Sequence, residues 1–227
     1  MGGGVLFVVQ ETAYGVVRRG GGSVVCCSDV CISTEWSGPP ESLEMAIRYI
    51  TGRGGSGVGG LSAHLATLDD DFDVLPIDPE FLLQDIQGQV DSTREFINLE
   101  SGNIIANSYG AYLLLLSLID QPPLPVRTLL LSPVLGRAIS EERMLFSRPP
   151  REKTLHLAIS EQRLGMPDHL EIVTGEEDEI CDPALARQVG KQLGINVSIL
   201  PNEGHMLEPA SVESALQRFL PMGGNHL

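Results

Sequence analysis

The stretch Gly102-Asn103-Ile104-Ile105-Ala106-Asn107-Ser108-Tyr109-Gly110-Ala111, running on through apolar residues to Ile119, decides the fold. A short apolar run predicts a strand, and the longer run from Ala111 to Ile119 predicts a buried helix. Between them one serine sits at the tip of a turn. Ala106 stands two places before Ser108 and Gly110 two places after it. Small residues at these positions let a strand and a helix pack closely around a strained turn, the steric requirement of a nucleophile elbow. The pattern here is A-x-S-x-G rather than G-x-S-x-G. A serine that merely caps a helix is the competing reading of this pentapeptide. At a helix N-terminus, backbone N–H groups are also available to an oxyanion.

A serine nucleophile needs a base, and the base needs an orienting carboxylate. Leu170 to Thr174 reads as a strand and runs into Gly175-Glu176-Glu177-Asp178-Glu179-Ile180-Cys181-Asp182-Pro183. Val197 to Leu200 reads as another and runs into Pro201-Asn202-Glu203-Gly204-His205-Met206-Leu207. The chain order is therefore serine, acid, histidine, each just past a predicted strand. In an open parallel sheet those strand ends line one edge, where ligands bind.

On these residues the chain resembles the α/β-hydrolase superfamily. Ala106 to Gly110 matches the elbow, Gly175 to Asp178 the acid turn and Gly204-His205 the histidine loop; the resemblance spans residues 46 to 220. It implies a central, mostly parallel sheet with helices on both faces. It also implies that Ser108, Asp178 and His205 form a catalytic triad. The family places its acid three residues after the glycine, which selects Asp178 from among Glu176, Glu177, Glu179 and Asp182. Asp182, before Pro183, reads as a helix cap. His64 and His156 lie in helical patterns, His169 precedes a strand and His226 is in the tail.

The resemblance places the other half of an oxyanion hole in the loop after the third strand. Met45 to Ile50 is that candidate strand, followed by Thr51-Gly52-Arg53-Gly54-Gly55-Ser56-Gly57. By position, the N–H groups of Arg53 and Tyr109 are the donors, with Gly52, Gly54 and Met206 beside the substrate. Thr51 stands where the family often has histidine. A phosphate loop is the alternative for these glycines, but no Gly-Lys-Ser/Thr ending follows.

Composition agrees with a single α/β domain of 227 residues, 42% apolar and 20% charged. The net charge of −15 argues against sequence-independent affinity for nucleic acid or anionic membrane. Cys26, Cys27, Cys31 and Cys181 match no zinc spacing and read as buried thiols, a redox role for Cys26-Cys27 being the sharper alternative. Leu113 to Ile119 is too short to span a membrane. No basic signal start precedes Val5, so a cytoplasmic location is expected.

Along the chain, residues 1–45 are expected to hold an antiparallel hairpin pairing Val5–Val9 with Val24–Ile32. Ser37-Gly38-Pro39-Pro40 reads as a linker. Val58 to Leu68 reads as a helix with Leu61, Leu65 and Leu68 on one face. Asp69-Asp70-Asp71 reads as a solvated turn, a cation site being the alternative. Strand 72–78 and helix 82–98 precede the elbow. Strand 126–131 follows it, and helices 154–164, 184–193 and 210–220 complete the pattern. Residues 137–168 occupy the interval where relatives carry a cap, so a minimal lid is expected. Met144 and Phe146 are candidate pocket residues.

The implied chemistry is acyl transfer from a small carboxylic ester, with no metal or organic cofactor. Thioesterase, amidase, acyltransferase and carbon–carbon hydrolase activities use the same triad, and a dormant hydrolase-fold binding protein is the reading outside enzymes.

Overall fold

In a computed structural model the described residues are 46–99, 101–138 and 148–220, with the backbone of three N-terminal strands. Contacts divide the chain into two units, Met1–Leu43 and Glu44–Leu227. In the first, β1 (Arg18–Arg19), β2 (Gly22–Cys27) and β3 (Val30–Ser33) form an antiparallel sheet. Cys27 pairs with Val30 and Cys26 with Cys31. The run from Val24 to Ile32 is therefore divided between two paired strands, β2 and β3. Val5–Val9 and the linker at 37–40 lie outside the described residues.

The second unit is built on six parallel strands in the order β5-β4-β6-β7-β8-β9. They are β4 (Ile47–Ile50), β5 (Phe72–Leu75), β6 (Asn103–Asn107), β7 (Leu124–Leu131), β8 (Pro167–Gly175) and β9 (Asn196–Leu200). The helices are α1 (Leu61–Leu65), α2 (Ile86–Phe96), α3 (Ser108–Ser117), α4 (Glu152–Ser160), α5 (Pro183–Leu193) and α6 (Pro209–Phe219). Side chains alternate across the sheet. Ile104, Ala106, Leu130 and Ile172 pack with α2, α3, α4 and α5. Ile105, Leu129, Leu131 and Val173 pack with α1 and α6. Both faces are covered, which is why the central strands read as continuous apolar runs rather than alternating ones. α3 is buried from Tyr109 to Ser117, so it is apolar all round.

Several element boundaries differ from expectation for local reasons. α1 does not begin at Val58 or reach Leu68; Gly60 sits at φ 53°, a conformation that cannot continue a helix, and Val58 and Leu68 are exposed. The expected helix 82–98 is a single 3-10 turn, Phe81–Leu83, followed by a fresh start. There Asp85 caps α2 by accepting the Gly88 N–H at 2.8 Å. β5 stops at Leu75, before Pro76, and α3 begins three residues early, at Ser108 itself.

Gly175, which ends β8, fixes how two loops meet. A Cβ there would lie 2.0 Å from the Glu203 carbonyl oxygen. The Glu177 N–H donates to that same oxygen at 2.8 Å. The acid loop and the histidine loop therefore touch backbone to backbone. Gly175→Ala is expected to destabilise the protein by about 1–3 kcal/mol, as other overpacked sites do. Urea unfolding of the variant checks this, with a shift of midpoint at constant slope as the expected form.

Candidate active site

Ser108 is where the chain leaves β6 and enters α3, and its φ is 51°. A non-glycine residue in this region is uncommon and strained, and such residues persist where the surroundings over-determine them. The surroundings here are close indeed. A Cβ on Gly110 would lie 2.2 Å from the Thr51 carbonyl oxygen and 2.7 Å from Ile50 Cγ2. The loop after β4 thus lies directly against the elbow, and only glycine admits it. Thr51 anchors that loop. Its buried hydroxyl oxygen accepts the Ile77 N–H at 2.8 Å and donates to Gly52 O at 3.1 Å. Threonine in place of histidine therefore still ties the loop to the chain beyond β5.

Asp178 is 1% exposed and lies in the turn after β8. Its Oδ1 accepts the N–H groups of Ile180 at 2.9 Å and Cys181 at 2.7 Å, and its Oδ2 accepts the Thr174 hydroxyl at 2.9 Å. Burial alone pushes this carboxyl up. The His205 ring and the two backbone N–H groups outweigh it and hold the group below the usual carboxylate range. A depressed folded value stabilises the fold above the unfolded pKa, about 3.9. That stability is lost as pH falls through the folded value. The stability difference between wild type and Asp178→Asn is therefore expected to shrink as pH drops below about 4. Urea unfolding of both proteins at neutral and acid pH checks the sign.

His205 follows β9 and bridges the two. Its Nδ1 lies 3.0 and 3.1 Å from the Asp178 oxygens, and its Nε2 lies 2.9 Å from Ser108 Oγ. An ionised carboxylate only accepts, so Nδ1 donates and Nε2 accepts from the Ser108 hydroxyl. Three residues separated by 97 and 27 positions thus form one chain of hydrogen bonds.

Ser108 and His205 open onto a cavity of about 670 Å³. Gly52, Arg53, Gly54, Tyr109 and Met206, all singled out from sequence, line it. Tyr109 is held from three sides. Its hydroxyl donates to Gln89 Oε1 at 3.0 Å, its ring stacks on Tyr112 at 5.9 Å, and the Arg53 guanidinium lies 5.8 Å from its centroid. Burial pushes the Tyr109 phenol up, the Arg53 charge opposing.

Sequence reasoning missed several contributors. Thr174 and the N–H groups of Ile180 and Cys181 hold the carboxylate. Pro79 and Leu82, beyond β5, and Val134, Pro149 and Ile180 complete the apolar cavity wall. Thr174, four residues before the acid, was the one side-chain signal available. Met144, Phe146 and His226 lie outside the described residues.

Other candidates sit elsewhere. Asp182 caps α5, accepting the Ala184 N–H at 2.8 Å. His64 Nε2 lies 2.7 Å from Glu213, and the His169 ring tilts on Phe219. Asp69 accepts the Asp71 N–H, and Asp71 pairs with Arg48 at 3.4 Å, as a solvated turn would. Cys181 is a free, fully buried thiol that burial and the Asp178 charge push up. Among the described residues no group of three or more His, Cys, Asp or Glu could hold a metal ion. Among them, too, no helix is long and apolar enough to cross a membrane.

No model of a known protein family matches the sequence, and no curated protein sequence does either. Solved structures do match in fold. One described with carboxylesterases of the thaumarchaeon Nitrososphaera gargenis superposes with a TM-score of 0.54 at 12% identity, covering 79% of this chain and 90% of the other. A monoacylglycerol lipase of Paleococcus ferrophilus gives 0.55 at 13% identity over 76% and 91%. The 2-hydroxy-6-oxo-6-phenylhexa-2,4-dienoate hydrolase of Rhodococcus sp. strain RHA1 gives 0.51 at 14% over 76% and 89%. The chain adopts the α/β-hydrolase fold.

Proposed function

We propose that the protein is a serine hydrolase that cleaves a small carboxylic ester through an acyl-enzyme. The observation that supports this best is the hydrogen-bond chain from Ser108 Oγ through His205 to the buried Asp178. Ser108 Oγ attacks the ester carbonyl carbon while His205 Nε2 takes its proton. The oxyanion of the tetrahedral intermediate is stabilised by the backbone N–H groups of Arg53 and Tyr109. Tyr109 suits this role because the first N–H groups of a helix have no intrahelical partner. The carbon–oxygen bond to the alcohol then breaks, and His205 passes its proton to the leaving oxygen. Water attacks the acyl-enzyme with His205 again as base, and collapse releases the acid and restores Ser108. Asp178 holds the imidazole in the required tautomer and stabilises its charged form. No metal or organic cofactor enters these steps. Of residues 137–168 we read only Pro149 and its described neighbours as a short lid, since Pro149 borders the cavity while α4 packs on the sheet core and Pro167 begins β8.

The test is a panel of p-nitrophenyl acetate and butyrate, an acyl thioester and an anilide, assayed with the full chain. The esters are expected to turn over, with a burst of p-nitrophenol matching the enzyme concentration if deacylation is slower. Faster turnover of the thioester or anilide would move the protein to that class on the same triad. Turnover of none by well-folded protein would contradict the proposal.

A further inference from the structure

The cavity over Ser108 has a neighbour. A second cavity, of about 600 Å³, lies between α1 and α6 and shares Asn107, His205 and Met206 with the first. Its apolar wall comes from Leu61 on α1, Leu131 at the end of β7, Leu207, and Val212 on α6. Its other ionisable groups, His64 and Glu213, lie 2.7 Å from one another. Met206, 83% exposed, stands between the two cavities. The two cavities differ in what they offer a reacting ester. Ser108, Arg53 and Tyr109 line only the first. Only His205, of the triad, lines the second.

We infer that the second cavity is a binding site for the alcohol half of the substrate, and that the substrate is an ester of an aliphatic alcohol. The inference rests on the acyl-transfer reading above. The acyl carbon bonds to Ser108 Oγ, and its oxyanion points to the donors in the first cavity. The leaving oxygen must instead face His205 Nε2, because the bond from carbon to that oxygen breaks as Nε2 gives it a proton. A group attached to the leaving oxygen therefore extends from His205, and the apolar space bordered by His205 away from the oxyanion loop is the second cavity. Its walls carry leucine, valine and methionine and no unpaired charge among the described residues, so a hydrocarbon chain suits it. Met206, flexible and polarizable, suits a rim that both halves of the substrate pass.

The experiment varies each half of the ester separately. With wild type, kcat/KM is measured for ethyl, butyl and hexyl acetate, and for ethyl acetate, butyrate and hexanoate. Full burial of a methylene is worth about fourfold. From ethyl to hexyl acetate kcat/KM is therefore expected to rise by roughly tenfold or more. Val212→Trp fills the cavity from α6. It is expected to flatten that rise, with kcat/KM for hexyl acetate falling by roughly tenfold more than for ethyl hexanoate, because the lost apolar space is that of the alcohol chain. Inhibition of wild type by 1-hexanol, competitive with hexyl acetate, is expected and needs no variant. A flat response to alcohol length, no competition by 1-hexanol, or a Val212→Trp effect confined to the acyl series would overturn the inference. Hydrolysis of none of these esters would instead be the failure of the acyl-transfer reading beneath it.

Discussion

Ser108→Ala is expected to lower kcat/KM for the preferred ester by about 10⁴- to 10⁶-fold, since removing a triad member leaves only the contribution of binding and the oxyanion hole. The substitution deletes one oxygen, 2.9 Å from His205 Nε2, and nothing else. Among the described residues lining the cavity, Ser56 and Ser62 carry the other serine hydroxyls, and the latter donates to the Ser56 carbonyl oxygen at 3.0 Å. Neither has a histidine partner, so neither can substitute as nucleophile. The effect on stability should be small, within about 1 kcal/mol, because Ser108 is only half-buried and alanine keeps the backbone geometry. A thermal melt alongside the kinetics separates the two effects. A variant that folds like wild type and retains its turnover would mean that another group attacks the substrate.

Asp178→Asn is expected to cost about 10³- to 10⁴-fold in kcat, through the wrong tautomer of the base. The contacts of Asp178 decide which way an amide must lie. Oδ1 accepts two backbone N–H groups, from Ile180 and Cys181, so the amide oxygen must take that position. The NH₂ group then stands at Oδ2, facing Thr174 Oγ1 and His205 Nδ1. It donates to Nδ1, which must give up its proton. Nε2 becomes the N–H and donates to Ser108, so the hydroxyl has no base. The same variant loses hydrogen bonds to a charged acceptor, a loss of about 1–3 kcal/mol. That cost is visible at neutral pH and fades in acid. Kinetics with KM measured separately distinguish the tautomer effect, which acts on kcat, from simple loss of binding.

The central half of the fold was legible because its signals are local. The run around Ser108 carries strand, turn and helix within eighteen residues. Gly175 and Gly204 mark turns whose following residues are acid and base. Each of these turns lies at the end of a parallel strand, so the topology brings Ser108, Asp178 and His205 to one sheet edge without further information. What was not legible depends on tertiary context or on the backbone. The N–H groups of Ile180 and Cys181 hold Asp178, and backbone donors leave no mark in sequence. Asp85 falls within the expected helix 82–98, and its capping of the Gly88 N–H appears only once the chain turns there. Leu68 fitted the α1 stripe by spacing, but the helix ends at Leu65 and leaves it outside. Val24 to Ile32 read as one run because no glycine or proline interrupts it, yet it contributes to two strands, with Cys26 paired to Cys31 and Cys27 to Val30. The second cavity draws on α1, β7, the histidine loop and α6, which no single sequence window contains.

The central claim is that Ser108 is an activated nucleophile. The most direct measurement is labelling of the full chain with a fluorophosphonate, which phosphonylates activated serines, and mass-spectrometric mapping of the product. The account predicts one adduct per chain, on the peptide containing Ser108, and none in Ser108→Ala. Well-folded protein that takes up no label, or that carries it on another residue, would contradict the account.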